Sequence, residues 1–304
     1  MFLSFRPHFG CLLLSASLLS CIPTSGLPTD GQPVAAPPPP PVVTPTGAPP
    51  AVVAKSVIVI DAVTGRILTG KNEDVPRAVA STQKLMTALL VVEAGPLSDP
   101  VTIEDSDTTV EPTKLYLRIG DTFPRSALLK AILVRSANDA AMALARDVGG
   151  SVEEFAIMMN ERARSLGMRN SNFRNPHGLT EGGQFSTARD MAKLARATYQ
   201  RSAIRAPMII AEYNFVHNDG SIHKLVNTNK LLKRLSYTTG MKTGTTRASG
   251  KCLVASASLN GRTAIAVVLG STPQAVWNDS EKLLRWALER PRPSLQAQPA
   301  GRAN

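Results

Sequence analysis

Cys252-Leu-Val-Ala-Ser-Ala-Ser258 and Thr263-Ala-Ile-Ala-Val-Val-Leu269 flank the dipeptide Asn260-Gly261, and this stretch decides the fold. Two β-prone runs joined through Asn-Gly predict a tight hairpin, because a two-residue type I′ turn needs positive φ at both central positions. Far away in the chain, Ser56-Val-Ile-Val-Ile60, the turn at Val63-Thr64-Gly65 and Arg66-Ile-Leu-Thr69 predict a second hairpin. Between the two the pattern is helical. Leu85, Ala88, Leu89 and Val92 share one face and Gly95-Pro96 stops them; Ser126 to Val134 and Asp139 to Val148 follow, the latter ended by Gly149-Gly150. Phe155, Met158, Met159, Ala163 and Leu166 give a fourth helix with Gly167 as its stop, and the methionine pair reads as core filler. Thr187-Ala-Arg-Asp190 has the capping-box pattern ahead of Met191, Leu194 and Ala195, and Asp279 to Leu288 is a last helix broken by Pro291-Arg-Pro293. Strands at both ends with helices between them predict an α+β fold: one antiparallel sheet built from N- and C-terminal strands, with an inserted helical subdomain.

The chain has 304 residues, of which 43% are hydrophobic and 19% charged, so one or two globular domains are expected. Of its 23 prolines, 11 lie between Cys21 and Pro50 in a window whose one charged residue is Asp30; that window cannot bury a core and reads as an extended linker over residues 21–54. The folded part is then residues 55–290, with a short disordered tail at 291–304. The net charge of +11 suits an anionic surface such as a cell wall or acidic lipid. Its basic residues are scattered singly along helices rather than clustered with aromatics, which argues against nucleic acid.

Residues 1–20 carry Arg6 and then the apolar run from Cys11 to Ser20, the pattern of a secretory signal. Their end, Leu18-Leu19-Ser20-Cys21, resembles the bacterial lipoprotein signal, in which the cysteine is lipidated. Lipidation of Cys21 is expected because the proline-rich tether starts directly after it. Cys252 then remains as a lone thiol, and a disulfide inside the domain is excluded.

Metal catalysis finds no support in the pattern. The histidines are His8, His177, His217 and His223, without His-Glu-x-x-His and without a cysteine pair. His217 and His223 bracket Asn218-Asp219-Gly220-Ser221, a polar turn. A serine nucleophile remains. Ser81-Thr82-Gln83-Lys84 places a hydroxyl and an amine three residues apart at a helix start, on one face. A nearby cation, partial burial and the positive end of the helix dipole would each disfavour the protonated amine and let Lys84 take the Ser81 proton. The spacing alone is unspecific, since Ser221-Ile-His-Lys224 repeats it. It gains weight from its company: Ser136-Ala137-Asn138 at the end of an apolar helix, and Lys242-Thr243-Gly244, present once, just before the C-terminal hairpin. Three such elements in that order mark the penicillin-interactive serine enzymes.

The likeness extends to Ala80-Ser-Thr-Gln-Lys-Leu-Met-Thr-Ala88, Leu133-Val-Arg-Ser-Ala-Asn-Asp-Ala-Ala141, Asn175-Pro-His-Gly-Leu179, Ser186-Thr-Ala-Arg-Asp190 and Gly240-Met-Lys-Thr-Gly-Thr245. Through these the chain resembles the low-molecular-mass D-alanyl-D-alanine carboxypeptidases over about Lys55 to Trp286. The resemblance implies a DD-peptidase/β-lactamase-like fold and an acyl-enzyme mechanism with no cofactor. It implies Ser81 as nucleophile, Lys84 as its base, Ser136 as proton relay to the leaving amine, and Asn138 as holder of Lys84 and the substrate amide. Lys242 would supply positive charge, Thr243 and Thr245 hydroxyls would bind the terminal carboxylate beside Gly244, and the N–H groups of Ser81 and Thr245 would form the oxyanion hole. The implied substrates are peptidoglycan stem peptides ending in D-Ala-D-Ala, with β-lactams as covalent inhibitors. His177 is read as a loop residue, structural or at the site's rim.

Carboxypeptidases of this kind continue into an all-β domain and a membrane helix, whereas here a proline-, glutamine- and alanine-containing tail follows the last helix. Lipidated Cys21 and a linker reaching on the order of 100 Å are the expected substitute, placing the domain at a membrane in the cell envelope. A class A β-lactamase would deacylate with a glutamate four residues before an asparagine on a loop between the second and third elements, and no glutamate between Asn138 and Lys242 has that spacing. A D,D-endopeptidase would use the same residues on cross-links. A non-catalytic wall-binding lipoprotein would keep the fold without the chemistry, although every polar position the mechanism requires is filled by a competent residue type.

Overall fold

The computed structural model describes residues 44–289. The expected signal peptide at 1–20, lipidated Cys21, the linker up to residue 43 and the tail at 291–304 lie outside the described residues. The chain starts with β1 (Ser56–Asp61) and β2 (Ile67–Lys71), then a 3-10 turn (Ala80–Gln83) that runs into α1 (Lys84–Glu93). Next come β3 (Pro100–Thr102), α2 (Asp105–Thr108), β4 (Thr122–Pro124), α3 (Arg125–Val134), α4 (Asn138–Gly149), α5 (Val152–Ser165), α6 (Ala188–Tyr199) and α7 (Ser202–Met208). The chain closes with β5 (Glu212–Val216), β6 (Ile222–Val226), a second 3-10 turn (Lys230–Lys233), β7 (Thr238–Thr246), β8 (Gly250–Leu259), β9 (Arg262–Ser271) and α8 (Ala275–Leu288).

The expected sheet forms from the two ends of the sequence. Its five strands run in the order β2-β1-β9-β8-β7, and each neighbouring pair is antiparallel. The hairpin that decides the fold turns at Asn260 and Gly261 with φ of 52° and 74°, the positive pair that a type I′ turn requires. Side-chain alternation then divides the sheet into two buried faces. Val57, Val59, Leu253, Ala255, Ala266 and Val268 pack against Leu283, Leu284 and Ala287 of α8. Ile58, Ile60, Val254, Ile265 and Val267 face the helical subdomain, where Leu85 and Leu89 of α1 meet Leu144 and Leu194. Burial on both faces is why β1 reads as an unbroken apolar run rather than an alternating one.

Three local differences from the sequence reading have physical causes. β7 was not anticipated as a strand: Thr-Thr-Gly-Met-Lys-Thr-Gly-Thr-Thr carries two glycines and little apolar β signal, yet it pairs with β8 along nearly its whole length. The last helix begins at Ala275 and not at Asp279, which sits in its second turn. Its buried carboxylate accepts the backbone N–H groups of Val53 (3.1 Å) and Ala54 (2.9 Å) from the chain preceding β1. Thr187 caps α6 through the Asp190 N–H at 3.1 Å, but the Asp190 carboxylate accepts from Asn170 N and Ser171 Oγ instead of closing a reciprocal box.

The stretch before β1 is tied to the domain. Besides the Asp279 bonds, Lys71 Nζ donates to the carbonyls of Val52 and Ala54, and Trp286 Nε1 donates to Gly47 O. Among the described residues no helix is long and apolar enough to cross a membrane. Replacing Asp279 by alanine strands the fully buried Ala54 N–H without an acceptor. A loss of about 1–3 kcal/mol is expected, read as a lower urea midpoint at unchanged m-value. An unchanged midpoint contradicts the anchoring role.

Candidate active site

Ser81 sits on the 3-10 turn that precedes α1. The turn is set by Ala80 in the left-handed region (φ 50°) and by Thr82 Oγ1 donating to Val79 O at 2.6 Å. Lys84, the first residue of α1, has no exposed surface. Its Nζ lies 2.6 Å from Asn138 Oδ1, 2.7 Å from the His177 carbonyl and 3.1 Å from Ser81 Oγ. Two of these partners can only accept, and the third is a hydroxyl that can also donate. Ser81 Oγ accepts from Lys84 here and gives its own proton to the His177 carbonyl; in a neutral amine the two N–H groups would go to the carbonyl oxygens, leaving a lone pair for the Ser81 hydroxyl once that hydroxyl turns from His177. Burial is the main cause that pushes the Lys84 pKa well down, the Lys242 charge is the second, and Asp139 opposes them weakly.

The loop between α3 and α4 supplies the second element. Ser136 holds a left-handed conformation (φ 70°) and lines the cleft, and its hydroxyl makes no hydrogen bond among the described residues. Asn138 opens α4; while its Oδ1 accepts from Lys84, its Nδ2 donates to Pro112 O. Asp139, fully buried, accepts from the N–H groups of Leu115 (2.8 Å) and Ala140 (2.8 Å) and so pins the segment after Pro112 against α4. Burial raises its carboxyl pKa against those bonds.

The third element lies on β7, an edge strand, and the strand's alternation divides it. Lys242 and Gly244 pair with Val254 and Cys252, which face the helical side. Gly244 passes so close to the nucleophile that a Cβ there would stand 2.9 Å from Val79 O and 3.0 Å from Ser81 N. Lys242 is fully buried, donates to Thr243 O at 3.1 Å, and is pushed by burial to a pKa of about 7. Thr243 and Thr245 point to the other side, where Thr243 Oγ1 bonds Thr228 Oγ1 at 2.6 Å. Cys252 is a buried thiol with its pKa raised by burial.

A fourth segment, inconspicuous in the sequence, completes the site. The His177 carbonyl accepts from both Ser81 Oγ (3.2 Å) and Lys84 Nζ. Its imidazole takes no proton at neutral pH: burial first, then Lys84, lower its pKa to about 3, while Nδ1 accepts from Leu179 N–H. Gly178 (φ 87°) lies under the turn, where a Cβ would come 2.2 Å from Ala80 O. Gln83 Nε2 donates to Asn175 O and to Gln184 Oε1, which ties this segment to the turn. The sequence cue was the Asn175-to-Leu179 match; that the contribution is a backbone carbonyl has no side-chain signal. Ser81, Ser136, Thr243, Gly244 and Thr245 line one cleft of about 380 Å³, whose wall residues include no aspartate or glutamate; Lys84 and Asn138 lie behind Ser81, and Lys242 is buried in β7 and is not part of the wall. His217 and His223 stack on the β5–β6 hairpin with ring centroids 6.3 Å apart and are not among the residues lining the cleft.

A sequence profile of the D-alanyl-D-alanine carboxypeptidase family matches residues 43–273. The chain is 37% identical over 243 residues to D-alanyl-D-alanine carboxypeptidase DacF of Bacillus subtilis, covering 78% of this chain and 62% of the relative. It is 38% identical over 246 residues to DacC of Escherichia coli, covering 77% and 60%. It therefore spans about three fifths of the length of these curated relatives. Among solved structures, a Streptomyces DD-transpeptidase superposes with a TM-score of 0.75 at 31% identity, covering 79% of this chain and 99% of that one. The carboxypeptidase DacD of Francisella tularensis gives 0.72 at 31% identity, covering 79% and 71%.

Because Gly178 is both left-handed and in contact with the Ala80 carbonyl, Gly178→Ala should displace the nucleophile turn. A melting temperature several degrees lower is expected, together with slower labelling of Ser81 by a fluorescent penicillin. A variant that labels and melts like the parent protein would show that the close approach does not hold the turn.

Proposed function

As the chain belongs to the D-alanyl-D-alanine carboxypeptidase family, we propose that it removes the terminal D-alanine from peptidoglycan stem peptides through an acyl-enzyme on Ser81. The observation that carries this reading is the contact between Ser81 Oγ, at the cleft wall, and a fully buried Lys84 amine whose protonation is disfavoured. Ser81 Oγ attacks the carbonyl of the D-Ala-D-Ala bond as its proton passes to Lys84 Nζ. The oxyanion develops between the N–H groups of Ser81 and Thr245, an arrangement worth roughly 3–4 kcal/mol per donor in related chemistry. Ser136, whose hydroxyl has no partner among the described residues, carries the proton to the leaving amine. Asn138 keeps Lys84 in place, and Thr243 and Thr245 bind the terminal carboxylate beside Gly244. Water then hydrolyses the ester with Lys84 as base.

β-Lactams would acylate the same serine. The cleft wall holds no carboxylate to activate a deacylating water in the β-lactamase manner, which supports inhibition over destruction of the drug. For location, the reading puts the domain in the cell envelope, tethered by lipidated Cys21 and the proline-rich segment after it.

Ser81→Ala should lose both penicillin labelling and D-alanine release, and Lys84→Ala should acylate at least about a thousandfold more slowly, the scale of general-base loss with a nucleophile left unactivated. For the parent protein, acylation should rise with pH as Lys84 loses its proton and level off below the ordinary lysine range. Labelling of Ser81→Ala equal to that of the parent overturns the enzyme reading. Cleavage of cross-linked dimers without release of terminal D-alanine would turn it into an endopeptidase.

A further inference from the structure

The cleft is lined by three cations, Arg135, Lys230 and Lys251, and by no acid. Lys242, buried behind the wall, is a poor partner for a substrate carboxylate. It has no exposed surface, its ammonium is turned to the Thr243 carbonyl, and it lies on the helical side of β7, away from the threonine hydroxyls. Something else must meet the charge of an acid held by those hydroxyls.

The register of β7 and β8 singles out which cation. Lys251 is paired directly with Thr245, so the two side chains leave the sheet on the same face with Cβ atoms roughly 5 Å apart. Thr243 shares that face, but its hydroxyl is already engaged at 2.6 Å by Thr228, whereas the Thr245 hydroxyl has no partner among the described residues. Lys251 is half-buried and makes no ion pair among the described residues. Beside it Pro273, Val276 and Trp277, at and before the start of α8, close the cleft with apolar surface against which its stem can lie. The other two cations are placed differently. Arg135 stands next to Ser136 on the helical lip, and Lys230 follows Thr228 at the second 3-10 turn.

We propose that Lys251, across the strand pair from Thr245, is the residue that receives the terminal carboxylate of the substrate and makes the enzyme selective for a free acid at that end. This rests on the carboxypeptidase reading of the same cleft. A half-buried ammonium with no competing partner gives a charge-assisted bond to a carboxylate, and little to a neutral amide. The contact is present in the bound substrate and in the transition state alike, so its loss falls mainly on KM.

The test compares a peptide ending in D-Ala-D-Ala with the same peptide ending in D-Ala-D-Ala-amide, assayed with the full protein, Lys251→Met and Lys251→Arg. Expected is a rise in KM of roughly ten- to a hundredfold for the acid with Lys251→Met, at nearly unchanged kcat and with the amide unaffected. Lys251→Arg should keep the preference for the acid. Equal discrimination between acid and amide in the parent and in Lys251→Met overturns the assignment, and so does an equal loss on both peptides. Absence of turnover on either peptide by the unaltered protein would overturn the carboxypeptidase reading itself, a result distinguishable from failure of Lys251 alone.

Discussion

Among the described residues Lys84 carries the only amine that touches Ser81, and it does so with no surface in contact with solvent. An ammonium there would forgo its hydration and find two carbonyl-type oxygens and one hydroxyl in exchange, with a second buried lysine, Lys242, repelling it. Keeping the amine neutral resolves that conflict and creates the base that a serine nucleophile needs. The constraint reaches far into the chain. Asn138 must hold an oxygen toward Lys84, which requires its Nδ2 to be anchored on Pro112, and Asp139 must fix the segment beyond. The His177 carbonyl must face inward, which requires Gly178 beneath the turn.

The sheet provides the other half of this arrangement. Because β1 pairs with β9 and β9 with β8, the C-terminal hairpin occupies the middle of the sheet and leaves β7 at its edge, along the nucleophile turn. Gly244 lets that edge approach Ser81. Alternation then sends Lys242 inward, toward Lys84, and Thr243 and Thr245 outward. A single strand thereby serves two ends: it sets the electrostatics of the base from one face and offers hydroxyls to a ligand from the other.

Much of this was legible in the residues. The two terminal hairpins and the helices between them were marked by Asn260-Gly261, by apolar runs and by stop signals, all of them local. The three site motifs fall where short polar triplets interrupt apolar elements, and in the structure residues of all three line one cleft. What stayed hidden is non-local or backbone-borne. β7 lacks strand character of its own and is a strand because β8 pairs with it. Asp279 reads as the start of the last helix and is an acceptor for Val53 and Ala54, residues more than two hundred positions away. His177 contributes a carbonyl, which any residue has, so its side chain could not announce the role. The positive charge expected of Lys242 comes from a side chain with no exposed surface, and its proximity lowers the Lys84 pKa, a placement that no local pattern announces.

Nucleophilic chemistry at Ser81 stands on the protonation state of one nitrogen. Its most direct test is an NMR titration of the protein labelled at lysine Cε, with the Lys84 resonance identified by its loss in Lys84→Arg. The expected midpoint lies far below the ordinary lysine value of about 10.4. A Lys84 that keeps its proton up to that value would contradict it, because Ser81 would then face an ammonium with no lone pair to take its proton.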